Sequence, residues 1–136
     1  MSIPGPTVLD GPRAVRAAVG THLGRSPWLL LTTEHVAGFR RATGDTDATF
    51  LPLALSNHFL PQIVEVTGFS AGINYGTGAV ALGPRIDADD RVRGAVRLVA
   101  ADELPGGLQT TMLVTVEIDG RDEPACTIES LSRWLT

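Results

Sequence analysis

The sequence predicts an α+β domain in which an antiparallel sheet wraps around one long apolar helix. Between residues 50 and 66, apolar side chains cover most of the helical circumference, so a helix there must be buried on most sides. After Gly68 the period of the pattern changes. In residues 112–118 apolar and other side chains alternate, which is typical of strands with one covered face. A curved sheet around that helix buries the apolar surface of both elements.

Length and composition predict a single soluble domain. The chain has 136 residues, of which residues 1–10 are rich in proline and glycine and are expected to form a flexible N-terminus, with one domain over residues 11–136. Its net charge of −4, with both signs interspersed, argues against nucleic-acid binding. No apolar run is long enough for a membrane span, and the start of the chain does not resemble a signal peptide. The chain has a single cysteine, Cys126, which predicts a cytoplasmic protein. Its three histidines are not spaced like metal ligands, so we expect no metal and no cofactor.

Two helices and a short strand are predicted before the long apolar helix. Residues 11–19 have a proline near their start and a glycine after their end, which predicts a short helix. Residues 28–32 form a brief apolar run typical of a strand. Thr33 is the expected N-cap of a second helix, which Gly44 closes. Within the long helix itself, Pro61 predicts a kink or a break.

Four antiparallel strands are predicted after the long helix, over residues 71–82, 91–101, 108–119 and 124–135. Glycines in the first of these strands indicate a bulge or the close approach of another backbone. The connections at 104–107 and 119–123 have the composition of hairpin turns. A sheet of this kind around one buried helix is the hot-dog fold.

Four segments resemble those of the MaoC-like hydratase/dehydratase family, which includes (R)-specific enoyl-CoA hydratases. Residues 19–45 resemble its first segment and end in the Thr-Gly-Asp signature, and FLPLALSNHFLPQIVEV (50–66) is similar to the later part of its central helix. INYGTGAVAL (73–82) resembles its Asn-Tyr-Gly strand, and residues 116–135 its closing hairpin. The resemblance extends from about Gly11 to Leu135, and it implies a hot-dog protein that acts on acyl thioesters.

In active members of that family, the signature aspartate works with a histidine a few residues downstream to move protons at the α,β double bond. A backbone N–H at the start of the central helix polarises the thioester carbonyl. Asp45 matches the aspartate, but Phe50 occupies the position at which the family spacing would put the histidine. If the helix itself is aligned instead, the loop that carries the histidine is missing. The resemblance therefore implies an incomplete Asp/His dyad.

Three candidate catalytic residues remain, each with an alternative interpretation. Asp45 acts as a base, or else it is a cap or turn residue between two helices. His58 replaces the missing histidine, because burial in the long helix would keep its imidazole neutral, or else it is a core residue bonded to a neighbouring polar side chain. Tyr75 donates a hydrogen bond to a developing oxyanion, or else it packs like other aromatic residues in strands.

Four further residues are predicted to bind the substrate: Asp47, Phe50, Asn57 and Asn74. Asn74 presents an amide beside Tyr75. For Asp47 the favoured interpretation is a helix N-cap or an acidic residue of the first helical turn.

Two functional hypotheses follow. In the first, the chain is an enzyme with modified chemistry, which dehydrates, isomerises or cyclises an acyl-thioester or polyketide-type intermediate on CoA or on an acyl carrier protein. In the second, it is a non-catalytic subunit that holds the acyl chain for another hot-dog protein with an intact dyad. A conventional enoyl-CoA hydratase ranks below both. All three predict a homodimer or a heterodimer, since an exposed sheet edge tends to pair.

Overall fold

The computed structural model describes residues 5–136 as three helices and eight strands. The helices are α1 (Gly11–Ala18), α2 (Thr33–Thr43) and α3 (Leu51–Ile63). The strands are β1 (Thr7–Asp10), β2 (His22–Arg25), β3 (Leu29–Leu30), β4 (Val64–Thr67), β5 (Ala71–Leu82), β6 (Arg91–Leu104), β7 (Gly107–Ile118) and β8 (Cys126–Leu135).

The main sheet is antiparallel and has the order β2–β6–β7–β8–β5, with β3 also paired to β6. Strand β1 pairs with β4 in a separate parallel ladder. Helix α3 packs on β6, β7 and β8, and most closely on β6. The predicted α+β fold, an antiparallel sheet around one long helix, is confirmed. Strand β5 forms one edge of the sheet, and most of its residues are exposed on both faces.

Contact between α3 and the sheet is closest where β6 carries Gly94. A Cβ atom built on Gly94 would lie 2.5 Å from the Cβ atom of Phe59, which is closer than real Cβ atoms approach one another. Phe59 is 1% exposed, and Leu51 and Ile63 are buried on the same side of α3. Glycine at position 94 therefore lets the phenyl ring, and with it the whole helix, lie directly against the sheet.

The opposite side of α3 is not covered by this chain. Ala54, Asn57, His58 and Pro61 are exposed, so the predicted burial of the helix on most sides does not extend to this side. Apolar residues around most of the helical circumference predicted that burial, but they do not show which side of the helix meets the sheet. Only the side that carries Phe59 meets strands of the same chain.

Two boundaries of the long helix differ from the prediction. The helix ends at Ile63, and residues 64–67 form strand β4 instead of a further helical turn. Pro61 lies in the last turn of α3, so it precedes the end of the helix rather than kinking its middle. Pairing with β1, which is distant in sequence, stabilises β4, and a local helical pattern could not show that pairing.

The N-terminal half also contains strands that were not predicted. Residues 7–10 belong to the segment expected to be flexible, but they form strand β1, whose four residues pair in register with β4. Residues 1–4 of that expected segment lie outside the described residues. Strand β2 was missed because it is short and contains Gly24, which has a positive φ angle and lies at an irregularity in its pairing with β6.

The N-cap of helix α2 lies one residue earlier than predicted. Thr32, not Thr33, is the N-cap: its side chain accepts a hydrogen bond from the backbone N–H of His35, and the His35 ring accepts one from the Thr32 N–H. This reciprocal pair satisfies two donors that a helix start leaves free. At the other end, Gly44 has a left-handed conformation and closes the helix as predicted.

Two titratable groups outside α3 have shifted pKa values. Burial alone would raise the pKa of Glu117, but hydrogen bonds from Arg25 and Arg93 outweigh that effect and lower it. Arg93 also stacks on the ring of Trp28. Burial raises the pKa of the Cys126 thiol to about 11, so Cys126 is a small core residue and not a reactive thiolate.

Of the three helices in the described part of the chain, none is long and apolar enough to cross a membrane.

Replacing Gly94 by alanine is expected to lower the free energy of unfolding by about 1–3 kcal/mol, because the added methyl group overlaps Phe59. Urea unfolding measures this change. The matched control is Gly38→Ala in α2, where a new Cβ would meet only the flexible side chain of Arg41 at 3.8 Å. Alanine there should raise the free energy by about 0.5–1 kcal/mol. Equal effects at both positions would contradict the role of Gly94.

Candidate functional site

A hollow of about 430 Å³ lies between α3 and the strands β5 and β8. Its lining residues come from the end of α2, the first two turns of α3 and the adjacent faces of the two strands: Phe39, Thr43, Phe50, Leu53, Ala54, Ser56, Asn57, Asn74, Gly76, Thr77, Ile128 and Ser130. We call this space the main hollow. It is larger than the two hollows that adjoin it, which are described next.

A second hollow continues the main hollow toward Asp45. It has a volume of about 380 Å³, and it is lined by Phe39, Thr43, Gly44, Asp45 and Phe50, three of which also line the main hollow. We call it the mouth. The Asp45 carboxylate therefore lies at the point where the path along α3 begins.

A third hollow, the distal hollow, continues the path past the far end of α3. It has a volume of about 230 Å³ and is lined mainly by apolar residues: Leu60, Pro61, Val64, Val66, Met112, Ser132 and Trp134. The two hollows share no lining residue, but cross-strand pairs place them next to one another. Asn74 of the main hollow pairs with Ser132 of the distal one, and Ser130 of the main hollow pairs with Met112. The three spaces follow one another along the length of α3.

The loop between α2 and α3 holds Asp45 in place. One carboxylate oxygen, Oδ2, accepts a hydrogen bond of 3.0 Å from the backbone N–H of Phe50, the residue that precedes α3. The backbone N–H of Asp45 donates to the Thr43 hydroxyl at 3.1 Å. Oδ1 has no hydrogen-bond partner within residues 5–136. Both sequence-based interpretations of Asp45 are therefore compatible with its position, since it braces the turn and also presents a free oxygen to the mouth.

Ala48 makes this loop compact. It has a left-handed backbone conformation with a φ angle of 51°, which is unusual for a residue other than glycine, and its side chain is only 1% exposed. Its N–H donates to the Asp45 carbonyl at 3.0 Å, and its own carbonyl accepts from the Leu51 N–H at 3.2 Å. The backbone from Asp45 to the start of α3 therefore turns around one buried methyl group.

The first turn of α3 leaves one backbone donor free. Leu51 donates to Ala48, Ala54 donates to Phe50, and Pro52 has no N–H. The N–H of Leu53 has no acceptor among the described residues, and Leu53 lines the main hollow. A free donor at a helix N-terminus, where the helix dipole is positive, is suited to a developing negative charge on oxygen.

His58 is not in the hollow. Its side chain is exposed on the uncovered side of α3, where its ring lies 5.4 Å from that of Phe59, and it lines none of the three spaces. The expectation of a buried histidine bonded to Ser56 or Asn57 is wrong, since the Ser56 hydroxyl donates to the Leu53 carbonyl instead. The reason is the one-sided packing of α3, which leaves this face to solvent.

Tyr75 also lies outside the hollow. It falls at an irregularity in the pairing of β5, between Asn74 and Gly76, and its ring stacks on the Arg133 guanidinium at 3.7 Å. Adjacent residues of a strand point to opposite faces of a sheet, so Asn74 and Tyr75 do not both face α3. The amide is the one that lines the hollow.

Asp47 is exposed and interacts with Arg85, with 3.5 Å between Oδ1 and Nη1, away from the three spaces along α3. The structure therefore brings together Asp45, Phe50, Asn57 and Asn74 of the predicted residues, and it places His58, Tyr75 and Asp47 elsewhere. The family resemblance implied a backbone N–H at the start of the central helix without naming its residue, and Leu53 has such a free N–H. The prediction missed the hydroxyls of Thr77 and Ser130. Strand alternation alone, read along β8, would have placed Ser130 on the same face as Ile128.

Histidine is absent from the lining of these spaces. His35 caps α2 and His22 lies on β2, so none of the three histidines reaches Asp45. Within residues 5–136 there is also no group of three or more metal-ligating side chains. Among residues 5–136, Asp45 is the one titratable side chain that lines the path along α3.

Comparison with known proteins gives a consistent set of relatives. The sequence is 32% identical over 139 residues to 3-hydroxyacyl-thioester dehydratase Z of Mycobacterium tuberculosis, and the alignment covers 88% of this chain and 92% of that protein. No family model matches the sequence.

Solved structures with a similar fold have low sequence identity. R-hydratase PhaJ1 from Pseudomonas aeruginosa has a TM-score of 0.65 at 12% identity, over 86% of this chain and 81% of that one. The MaoC-like dehydratase from Rhodospirillum rubrum has a TM-score of 0.64 at 13% identity, over 87% and 92%. The ChsH1–ChsH2 complex from Mycobacterium tuberculosis has a TM-score of 0.58 at 10% identity, over 91% and 93%.

Replacing Ala48 by glycine is expected to loosen the loop that carries Asp45, because the chain loses its buried methyl group and gains conformational freedom. Hydrogen exchange of the Phe50 amide, which is bonded to Asp45, should become faster. The matched control is Asp89→Gly, which relieves a similar left-handed conformation, with a φ angle of 74°, in a different turn. It should leave the Phe50 amide unchanged. Unchanged exchange in both variants would show that Ala48 does not hold the loop.

Proposed function

Because the chain belongs to the MaoC-like hydratase/dehydratase family, we propose that it binds an acyl thioester along α3 and catalyses dehydration of the acyl group, or the reverse hydration. The observation that carries this proposal is the half-buried Asp45 carboxylate at the mouth of a continuous path between the central helix and the sheet. The 32% identical relative, whose name describes a 3-hydroxyacyl-thioester dehydratase, supports the same reaction class.

The shape of the path supports one arrangement of the substrate. The thioester and the reacting carbons would lie where the mouth meets the main hollow, near Asp45 and Leu53, and the acyl chain would extend through the main hollow toward the distal hollow. Helix α3 has 13 residues and is therefore about 20 Å long, which is enough to accompany a chain of medium length. CoA or an acyl carrier protein remains outside the mouth.

Asp45 and the Leu53 N–H supply the chemistry. The free carboxylate oxygen of Asp45 takes the α-proton of a 3-hydroxyacyl thioester, and the electron pair of that C–H bond forms the new double bond. As the β C–O bond breaks, the proton held by Asp45 passes to the leaving hydroxyl, which departs as water. The Leu53 N–H stabilises the negative charge that develops on the thioester oxygen. One carboxyl group thus takes and returns the same proton.

This arrangement differs from the dyad that the family resemblance implies. A histidine would share the proton transfers with the aspartate, whereas here position and a single carboxylate must suffice. Holding the reacting atoms in the correct orientation contributes a large part of many rate accelerations, so a site without the second group remains catalytic but slower. Isomerisation or cyclisation of a bulky intermediate would use the same carboxylate and the same hollow.

Asp45→Asn is expected to lower kcat/KM for a 3-hydroxyacyl-CoA by at least about tenfold, because an amide does not accept the α-proton. The assay is the appearance of the enoyl thioester by ultraviolet absorbance. Two controls lie outside the hollow: Asp47→Asn removes a nearby exposed carboxylate, and His58→Ala removes the imidazole of α3. Neither should change turnover. Wild-type turnover in the Asp45 variant would refute the assignment.

A second candidate function is that of a subunit that holds the acyl chain for a partner. Two observations favour it. The hollow of the described chain contains no histidine, and β5 leaves a long sheet edge uncovered, with Ile73, Val80 and Leu82 each at least 40% exposed. An exposed apolar edge strand is a ready site for pairing with another chain. The ChsH1–ChsH2 structure is an example of a complex with a similar fold.

The two candidate functions, enzyme and subunit, are separated by measuring turnover twice. The first assay uses the purified chain alone, and the second uses the chain co-expressed with a hot-dog protein that has an intact Asp/His dyad. If the chain is itself the enzyme, activity is present without the partner and is lost in Asp45→Asn. If it is a subunit, the two chains co-purify, and activity depends on the histidine of the partner.

Val80→Lys on β5 should abolish either form of dimer, whereas Val99→Lys, at an exposed position of β6, should not. Unchanged dimerisation of the Val80 variant would contradict assembly through β5.

A further inference from the structure

We infer that the acyl chain bound along α3 carries oxygen substituents, as keto or hydroxyl groups, at the carbons that lie in the main hollow. This inference rests on the proposed function and names the substrate class more closely. It follows from polar side chains that line the hollow and have no hydrogen-bond partner of their own.

Four of the polar side chains that line the main hollow make no side-chain hydrogen bond within residues 5–136: Asn57, Asn74, Thr77 and Ser130. Two other hydroxyls in the same lining already donate hydrogen bonds to backbone carbonyls of this chain. Thr43 donates to the Phe39 carbonyl at 2.7 Å, and Ser56 donates to the Leu53 carbonyl at 2.6 Å. Asn57, Asn74 and Thr77 are exposed and Ser130 is half-buried, so in the chain without ligand these two amides and two hydroxyls are open to water.

These four groups lie on both sides of the path. Asn57 belongs to α3, which forms one wall. Asn74 and Thr77 belong to β5 and Ser130 to β8, which form the other, and Thr77 and Ser130 are direct cross-strand partners. A chain that passes between helix and sheet meets amide or hydroxyl groups from either direction.

A saturated alkyl chain matches the apolar part of this lining but not its four free polar groups. If it filled the hollow, it would displace water from the free amides and hydroxyls and leave them without partners, which is unfavourable. A chain with keto or hydroxyl oxygens restores those hydrogen bonds, because an amide both donates and accepts and a hydroxyl does the same. The four polar groups therefore favour a chain with keto or hydroxyl oxygens over a saturated alkyl chain of the same length.

The distal hollow provides an internal comparison. Beyond Ser132, its lining consists of apolar residues such as Leu60, Met112 and Trp134. Both linings are mainly apolar, but free amide and hydroxyl groups are concentrated in the main hollow. This difference predicts a substrate with oxygens in its middle part and a hydrocarbon end. A polyketide-type chain has this composition, whereas an unmodified fatty acyl chain does not.

The test uses two CoA thioesters of equal length, 3-hydroxydodecanoyl-CoA and 3-hydroxy-7-oxododecanoyl-CoA. Binding is measured by calorimetry and turnover by absorbance. The wild-type protein should prefer the oxo compound by several-fold, up to about tenfold for each hydrogen bond formed. The double variant Asn57→Leu, Asn74→Leu should lose this preference and bind the alkyl compound more tightly than the wild type does. Thr111→Val, on β7 and outside the hollow, is the matched control and should keep the preference.

The outcomes separate this inference from the proposed function. If neither thioester binds to the wild type, the proposed function fails. If both bind equally, or the alkyl compound binds more tightly, and the double variant does not change the ratio, then only the inference about oxygen substituents is wrong. Circular dichroism and the unfolding midpoint establish that the variants fold. If the leucine variant does not fold, Ser130→Ala removes one free hydroxyl with little change in volume and should reduce the preference for the oxo compound.

Discussion

The structure depends on one close contact, in which Phe59 of α3 lies against the backbone of β6 at Gly94. A side chain of any size at position 94 would move the helix away from the sheet, because the space for a Cβ atom is already occupied. This contact fixes the distance and direction of α3 relative to β6, β7 and β8. Every feature of the candidate site is arranged around the position that the helix takes as a result.

Because α3 packs most closely on β6, its other flank is left uncovered beside β8 and the edge strand β5. The same asymmetry explains three observations: the path along the helix, the exposure of His58, and the exposed apolar residues of β5. The path and the exposed edge of β5 therefore lie on the same flank, the one that the helix leaves uncovered.

Asp45 is tied to the loop by one of its two carboxylate oxygens. Its Oδ2 atom accepts a hydrogen bond from the Phe50 N–H and holds the loop before α3, whereas Oδ1 has no partner among residues 5–136. The catalytic role proposed above would therefore fall to a carboxylate that also has a structural role. The buried, left-handed Ala48 stabilises that arrangement by fixing the turn around which the loop folds.

Local patterns in the sequence determined the α+β class, the four long strands and the helix at residues 51–63, because side-chain periodicity reports which face of an element is buried. The Thr-Gly-Asp signature likewise located Asp45. The tertiary structure alone decided which residues meet. It turned Asn74 toward α3 and Tyr75 away, left His58 in solvent, and made residues 64–67 a strand by pairing them with β1. Periodicity is local along the chain, whereas pairing across a sheet and the side on which a helix packs depend on partners distant in sequence, so a pattern of residues cannot specify them.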